Sequence, residues 1–478
     1  KIKQGKVILQ TYDPRHKVIA RVLQHDYSGM FEDEMKARKE FNYPPFCRLV
    51  EVILKHKDRK VLNEGSVILG RDTRSSGLEL TSTITEQLIY TGRNVLDCGI
   101  CTTPTLQFVV EDTDAVGGIM VTASHNPAEW NGLKFVFKDG CFLNIQQLDE
   151  LQSLMKSNGG EKPESVGAYN GFEQAVRRHV DRILNIEFIN VDTIRGRQFR
   201  VAVDTVNGAA SHALPFLLEK LGCEVVLVHC DPHGGFPRGT EPLPENLEDL
   251  CSSVKEHECD LGLATDPDGD RLAVVDECGE PLGEEYTRVL AVDDSLSRGE
   301  LPAIIVTNLS TTLAVEEVVK QYGGSVERTA VGEINVVERM KVLEARLGGE
   351  GNGGVILKDV HLGRDSLVGA AMILNRLAKD GSPLSSIYAS LPQFTIVKDK
   401  VDISGLDSHE LLSTISDQFP ESEKNMDDGL KLIWPDRWIH VRKSNTEPII
   451  RIYAEAPNSE EAESLVDSVR KLNILQDR

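Results

Sequence analysis

Apolar positions fall in short runs along the chain, each followed by a polar loop and then a longer amphipathic stretch. Three segments repeat this order. "SVILGRDTRSSGLELTSTITEQLIYTGRNVLDCG" passes from a β-branched run through a Gly/Asp/Ser loop to a helix-like stretch, and beyond a Gly to a second apolar run. "FRVAVDTVNGAASHALPFLLEKLGCEVVLVHC" and "PAIIVTNLSTTLAVEEVVKQYGGSVERTAVG" do the same. Such runs beside helices of about three turns predict strand–helix–strand units. Copies at roughly hundred-residue spacing, near the common domain size, predict three related α/β domains with mixed sheets. From about Leu391 the pattern changes. "FTIVKDKVDIS", "LKLIWPDRWIHVRKS" and "IIRIYAEA" read as strands, with helices at "SHELLSTISDQF" and "SEEAESLVDSVRKL", which predicts a C-terminal α+β domain. The expected boundaries are 59–165, 166–280, 281–390 and 391–478, with residues 1–58 as an appended N-terminal fragment. Sheets of this kind bind ligands outside the carboxyl ends of their strands, so chemistry is sought in the loops that follow apolar runs.

Composition narrows the class. The 478 residues are 40% hydrophobic and 27% charged, as in ordinary globular proteins. No apolar run approaches the roughly 20 residues of a membrane span, so no membrane partner is expected. The first residues lack the apolar stretch of a signal peptide and an initiator Met, which suggests a fragment or an unusual gene product. A formal net charge of -22 disfavours general nucleic-acid binding but leaves room for a locally positive pocket that takes small anions. Nine scattered cysteines fit a reduced, cytoplasmic compartment. Cys98 and Cys101 form a C-x-x-C, yet no second pair lies at zinc-site spacing, and they read as ordinary strand-end cysteines.

Four loops carry candidate chemistry. "VTASHNPAEWNGLKF" places Ser124 beside His125 on a proline-bounded turn after the apolar "GGIMV". Adjacent Ser and His rarely form a triad, and the sequence is no Gly-x-Ser-x-Gly elbow. "ATDPDGDRLAVVDE" brings Asp266, Asp268 and Asp270 together, a set of hard oxygen donors suited to Mg²⁺ or Ca²⁺. An EF-hand is excluded because Arg271 occupies the loop position that needs Gly and the flanks are strand-like. "LGGEGNGGVILKDVHLGRDS" is glycine-rich but lacks the Gly-Lys-Ser/Thr of a Walker loop; Glu350 and Asn352 offer partners for sugar hydroxyls, with Glu333 upstream in "AVGEIN". "RKSNTEPIIRIYAE" sets Arg442, Ser444, Asn445 and Thr446 on a polar loop before Arg451, a donor set that suits phosphate.

A serine loop, a triple-Asp loop, a Gly/Glu loop and an Arg/Ser/Thr loop in this order resemble the α-D-phosphohexomutase superfamily, from about Glu64 to the C terminus. "TASHNP" looks like its phosphoserine loop, "DPDGDR" its metal loop, "GEGNGG" its sugar-binding loop and "RKSNTEP" its phosphate-binding loop. The resemblance implies an enzyme that interconverts hexose 6-phosphate and 1-phosphate through phosphorylated Ser124 and a hexose 1,6-bisphosphate intermediate. It implies Mg²⁺ held by the Ser124 phosphate, Asp266, Asp268 and Asp270, and Lys134 as general acid/base. His125 is expected beside the serine and not as its base. Arg271, Glu333, Glu350, Asn352, Arg442, Ser444, Asn445, Thr446 and Arg451 would hold the sugar phosphate. Many members carry Ser and His where this chain has Asn352 and Gly354, and His where it has Glu333. The "GGEGNGG", "VGEINVV" and "SNTEPIIRIYAEA" forms look most like phosphoglucosamine mutases. Phosphoglucomutase and phosphomannomutase are the alternatives, together with a catalytically impaired sugar-phosphate binder.

The front departs from this pattern. "GKVILQTYDPRHKVI" and "HDYSGMFEDEMKARKEFNYPPFCRLV" resemble the C-terminal part of the primosomal replication-restart helicase. The family's usual opening strand and its Arg-bearing turn are missing, as a gene fusion, an assembly artefact or a truncated product would explain. The segment has no Walker motif and no complete zinc-ligand set. It alone raises a nucleic-acid partner.

Overall fold

The computed structural model describes residues 65–156, 165–233, 235–297, 303–403, 408–443 and 449–472. The front segment and the expectations placed on it lie outside these residues, as do Ser444, Asn445 and Thr446.

The three strand–helix–strand repeats fold as three copies of one sheet plan. In the first, β1 (Ser66–Arg71), β2 (Asn94–Ile100), β3 (Gly117–Val121), β4 (Leu133–Phe137) and β5 (Tyr169–Gly171) lie in the order β4-β3-β1-β2-β5. The second contains β6 (Arg200–Asp204), β7 (Glu224–Val228), β8 (Leu261–Thr265) and β9 (Leu272–Val275), ordered β7-β6-β8-β9. In the third, β10 (Ile304–Asn308), β11 (Ser325–Thr329), β12 (Leu347–Glu350) and β13 (Gly354–Leu357) are ordered β11-β10-β12-β13. Each copy has a central strand flanked by two parallel neighbours. One neighbour turns back into an antiparallel partner: β3 with β4, β8 with β9, β12 with β13. Helices such as Gly77–Tyr90, Ala210–Lys220 and Ala314–Gln321 make the crossovers between parallel strands.

The sequence pattern points to the parallel strands and, among the returning ones, to β9, whose apolar run follows the triple-Asp loop. Strands β4 and β13 are short and follow polar loops, so they carry little pattern of their own. The hairpins matter because they position the chemistry. The Ser124 loop joins β3 to β4, the triple-Asp loop joins β8 to β9, and the glycine-rich loop joins β12 to β13. All three therefore leave the carboxyl end of an equivalent strand.

The fourth domain is an antiparallel sheet of β14 (Thr395–Asp402), β15 (Glu423–Asn425), β16 (Leu430–Ile433), β17 (Trp438–Lys443) and β18 (Ile449–Ala456), in the order β14-β18-β17-β16-β15. A continuous buried apolar cluster runs through the first three domains, from Ile68 through Val201 and Val292 to Leu374. The fourth has its own core around Leu411, Ile439, Ile452 and Val466. Cys98 and Cys101 are free thiols at the end of β2. No described helix is long and apolar enough to cross a membrane.

Candidate active site

The serine loop is held in an uncommon conformation. Ser124 has φ 50, a left-handed setting that costs a non-glycine residue roughly 1 kcal/mol or more. Its backbone N–H donates to Thr122 Oγ1 (2.9 Å), which in turn donates to Asp72 Oδ2 (2.6 Å). Arg74 is almost fully buried and threads the loop from beneath. Its guanidinium donates to the carbonyls of Ser124 (2.5 Å), Asn126 (2.8 Å), Pro127 (2.5 Å) and Trp130 (2.9 Å), and its Nε to Asp72 (2.9 Å). A buried charge with this many partners is compensated, and the loop is fixed as a result.

The loop sets Ser124 Oγ 3.2 Å from Asp266 Oδ2. Asp266, Asp268 and Asp270 are fully buried, and one oxygen from each lies within 4.8 Å of the others. Gly269, at φ 70, makes the turn; a Cβ there would meet Thr102 at 2.7 Å. Burial and the charges of Asp270 and Asp268 push the Asp266 carboxyl well above its usual range. Burial also pushes Asp268 upward, but the ammonium of Lys134 together with the hydrogen bonds from Thr103 and Asp266 outweighs it and holds that carboxyl low. Lys134 Nζ donates to Asp268 Oδ2 (2.6 Å) and Asp270 Oδ2 (3.4 Å), and Thr103 Oγ1 donates to Asp268 Oδ2 (2.5 Å). Burial draws the Lys134 ammonium down, yet the two carboxylates more than offset this and keep it protonated. The buried Oδ1 atoms of Asp268 and Asp270 have no hydrogen-bond partner. Clustered carboxylates with buried free oxygens suit a hard divalent cation.

His125 accepts at Nδ1 from Arg271 Nη2 (3.0 Å), and Arg271 Nη1 donates to Glu241 (2.8 Å). Burial and the Arg271 charge lower the imidazole's pKa and favour neutral His125. The His125 carbonyl also accepts from Thr240, so the serine loop docks on the second domain.

In the third domain, Glu350 accepts from Asn308 Nδ2 (2.8 Å), Gly332 N (3.0 Å) and Arg364 Nη1 (2.7 Å). Glu333 accepts from Gln107 Nε2 (3.3 Å) and Arg364 Nε (3.0 Å). The same guanidinium reaches Asp270 Oδ2 (2.7 Å). Asn352 keeps a buried Oδ1 without a partner. In the fourth domain, Arg442 and Arg451 face one another across β17 and β18. Asp428 lies 3.6 Å from Arg442 and accepts from Val331 N (3.1 Å), next to Gly332.

Hydrogen bonds thus connect Ser124, His125, Lys134, the three Asp, Arg271, Glu333 and Glu350 across three domains. Arg74, Thr103 and Arg364 are among the contributors that carried no sequence assignment. Arg74 lies in "GRDTRSSG", a loop after an apolar strand like the others, which is the signal that was available. Thr103 and Arg364 act through partners far along the chain.

The fold is shared with known structures. A phosphoglucomutase/phosphomannomutase family protein from Burkholderia thailandensis superposes with TM-score 0.74 at 27% identity, over 86% of this chain and 90% of its own. A probable phosphoglucosamine mutase of Methanopyrus kandleri is 36% identical over 86% of this chain and 91% of its own length. A phosphoglucomutase/phosphomannomutase of Thermococcus kodakarensis is also 36% identical, over 85% of this chain and 89% of its own length. Three α/β domains with their hairpin loops turned onto one site, followed by a smaller antiparallel domain, define a phosphohexomutase, an isomerase of the α-D-phosphohexomutase superfamily. All four phosphoglucomutase/phosphomannomutase domain models match: domain I over residues 35–161, II over 177–279, III over 283–394 and the C-terminal domain over 413–472. The chain belongs to the phosphoglucomutase/phosphomannomutase family.

Proposed function

We propose that the chain interconverts hexose 6-phosphate and hexose 1-phosphate by phosphoryl exchange at Ser124, with glucosamine phosphate as the preferred sugar. The observation that carries this reading is the contact of Ser124 Oγ with Asp266 inside the buried carboxylate cluster. Phosphorylated Ser124 gives its phosphoryl group to the free hydroxyl of the bound sugar phosphate, forming a 1,6-bisphosphate. The bisphosphate returns its other phosphoryl group to Ser124 Oγ, and the isomer leaves. Asp266, Asp268, Asp270 and the Ser124 phosphate would hold a Mg²⁺, which would supply positive charge against the charge spread over the transferring group.

The chain's own residues do the rest. Arg74 and Thr122 keep Ser124 in its left-handed setting, so the nucleophile needs no reorganisation. Lys134 moves the proton between sugar hydroxyl and Ser124. It rests as an ammonium against Asp268 and Asp270, and another cation on those carboxylates brings its pKa down towards a basic role. Arg271 orients His125, and His125 steadies the serine loop. Arg442 and Arg451 take the distal phosphate, with Ser444, Asn445 and Thr446 completing its cradle. Two arginines placed opposite one another repel unless an anion lies between them.

Glu333, Glu350 and Asn352 take the sugar. Two buried carboxylates share a single guanidinium, which leaves acceptor capacity for an ammonium as well as for hydroxyls. That favours an amino sugar. The second reading, glucose or mannose phosphate, rests on the Thermococcus kodakarensis relative's name. A coupled assay with glucosamine, glucose and mannose 6-phosphates, primed with the matching bisphosphate, tests both. The highest kcat/KM is expected for glucosamine 6-phosphate. A neutral sugar favoured by about tenfold, roughly 1.4 kcal/mol, would shift the assignment to the second reading, and no turnover on any of the three would end the mutase reading itself.

A further inference from the structure

Arg364 has more work in the fold than a single ion pair. Its three donor nitrogens go to three different carboxylates: Nη2 to Asp270 on the metal loop, Nη1 to Glu350 and Nε to Glu333. The residues after it are fixed as firmly. Ser366 Oγ donates to the Gly269 carbonyl (2.6 Å), a second tie to the metal loop. Asp365 Oδ1 caps the helix Ser366–Asp380 by accepting from Leu367 N (2.9 Å) and Val368 N (3.3 Å). Its Oδ2 receives His179 Nε2 (2.8 Å) and His361 Nε2 (3.2 Å), and Thr105 Oγ1 bonds His179 Nδ1 (3.0 Å).

All three members of this His179–Asp365–His361 group are buried. Both rings bond one carboxylate oxygen, Asp365 Oδ2, and the group is a hydrogen-bonded knot. It joins helices of the first and second domains to the start of a third-domain helix, and so holds the backbone that carries Arg364.

We propose that Arg364 is a positioning residue that couples the metal loop to the sugar-recognition glutamates, so that metal and sugar-phosphate affinities are thermodynamically linked through one guanidinium. This rests on the reading of Glu333 and Glu350 as sugar contacts. A cation on Asp270 weakens its pairing with Arg364 and leaves more of the guanidinium charge to the two glutamates. A sugar group that donates to Glu333 or Glu350 does the reverse. Each ligand thus opposes the other at this residue, whatever attraction the substrate phosphate adds. Linkage is reciprocal, and couplings of this kind are typically about 5- to 150-fold.

The test uses the full chain in a Ser124→Ala background, which prevents turnover. Mn²⁺ affinity is read by electron paramagnetic resonance with and without glucosamine 6-phosphate or glucose 6-phosphate, and sugar-phosphate affinity by calorimetry with and without Mn²⁺. The two directions should give the same coupling factor. Arg364→Met should shift that factor by about fivefold or more towards joint binding, and Arg364→Lys, which keeps the charge but loses the fork, should fall between. If Arg364→Met does not fold, the Lys variant carries the comparison. A coupling factor unchanged by either variant overturns the proposal. So does a stoichiometric transition metal at the histidine knot, because the knot would then not be a hydrogen-bonded anchor. Normal Mn²⁺ binding with no binding of either sugar phosphate overturns the sugar-site reading and this coupling together, whereas an unchanged coupling factor overturns the coupling alone.

Discussion

Ser124 shows how one residue's backbone and side chain serve different ends. A glycine would relieve the left-handed φ, but only a hydroxyl can carry a phosphoryl group, and Arg74 and Thr122 hold the serine where it is strained. Ser124→Ala keeps the same backbone demand, so the fold should persist while mutase turnover falls to background. Intact-mass spectrometry of the wild-type chain should find one phosphate, absent from the Ala variant; near-normal turnover by that variant would exclude the phosphoserine role. Asp268→Asn removes one of three crowded charges at constant size and loosens the hold on Lys134. A divalent ion at 100 times its Kd adds about 2.7 kcal/mol to stability, so Mg²⁺ should raise the wild-type melting temperature and raise the variant's much less. Equal shifts would reduce the acidic loop to a structural turn. The serine and the aspartates were legible in the sequence because each motif is contiguous. Arg74, Thr103 and Arg364 were not, because their partners lie 50, 165 and 94 positions away in the chain. No local pattern records such a pairing.

Among elements, the hairpin at the end of each repeated sheet is the unit that brings the site together. The repeats could be read from their apolar runs, and the tail's strands and helices from theirs, since burial of one face leaves a period in the sequence. Of the returning strands, β9 left such a mark and β4 and β13 did not. Their positions follow from the sheet plan, which only the fold reveals. The helix Glu284–Leu296 adds a carboxyl group beside the glycine-rich loop. Glu285 is partly buried, accepts from Thr312 N (3.1 Å), and a Cβ on Gly351 would meet its Oε2 at 2.0 Å. Burial raises this carboxyl from 4.5 to about 8, against the pull of Lys398. The unfolded chain gives up this proton near 4.5 while the folded chain keeps it to about 8. Over that window the folded state binds more protons, so Glu285 makes stability fall as pH rises. Glu285→Gln keeps the shape without the titration and should flatten the decline in denaturation free energy between those two values. An identical pH profile in the variant would mean that Glu285 ionises in the folded chain as it does in water.

At the scale of the whole molecule, a net charge of -22 works against the anionic substrate proposed above unless cationic groups gather locally. The fourth domain is the clearest case. Its core is separate from that of the other three, so its stability does not rest on the metal loop or the serine loop. Through Asp428, which accepts from Val331 beside Gly332 and lies near Arg442, it touches the loop that bonds Glu350. Arg442 faces Arg451 across the hairpin, and its buried Nε has no partner. Two guanidiniums and an unused donor at the mouth of a loop form an incomplete arrangement that an anion completes. A charged hydrogen bond is worth roughly 1.5–3 kcal/mol, so Arg442→Ala should raise the KM for hexose phosphate about ten- to a hundredfold. It should leave the Mg²⁺-dependent rise in melting temperature intact, because the carboxylate cluster lies in another domain. Removing Arg442 relieves repulsion from Arg451 but also loses the pairing with Asp428, so the melting temperature without substrate should change little. Steady-state kinetics and thermal melts with and without Mg²⁺ read these effects separately. An unchanged KM would remove Arg442 from phosphate binding, and a loss of the Mg²⁺ effect would mean that the fourth domain shapes the metal site directly.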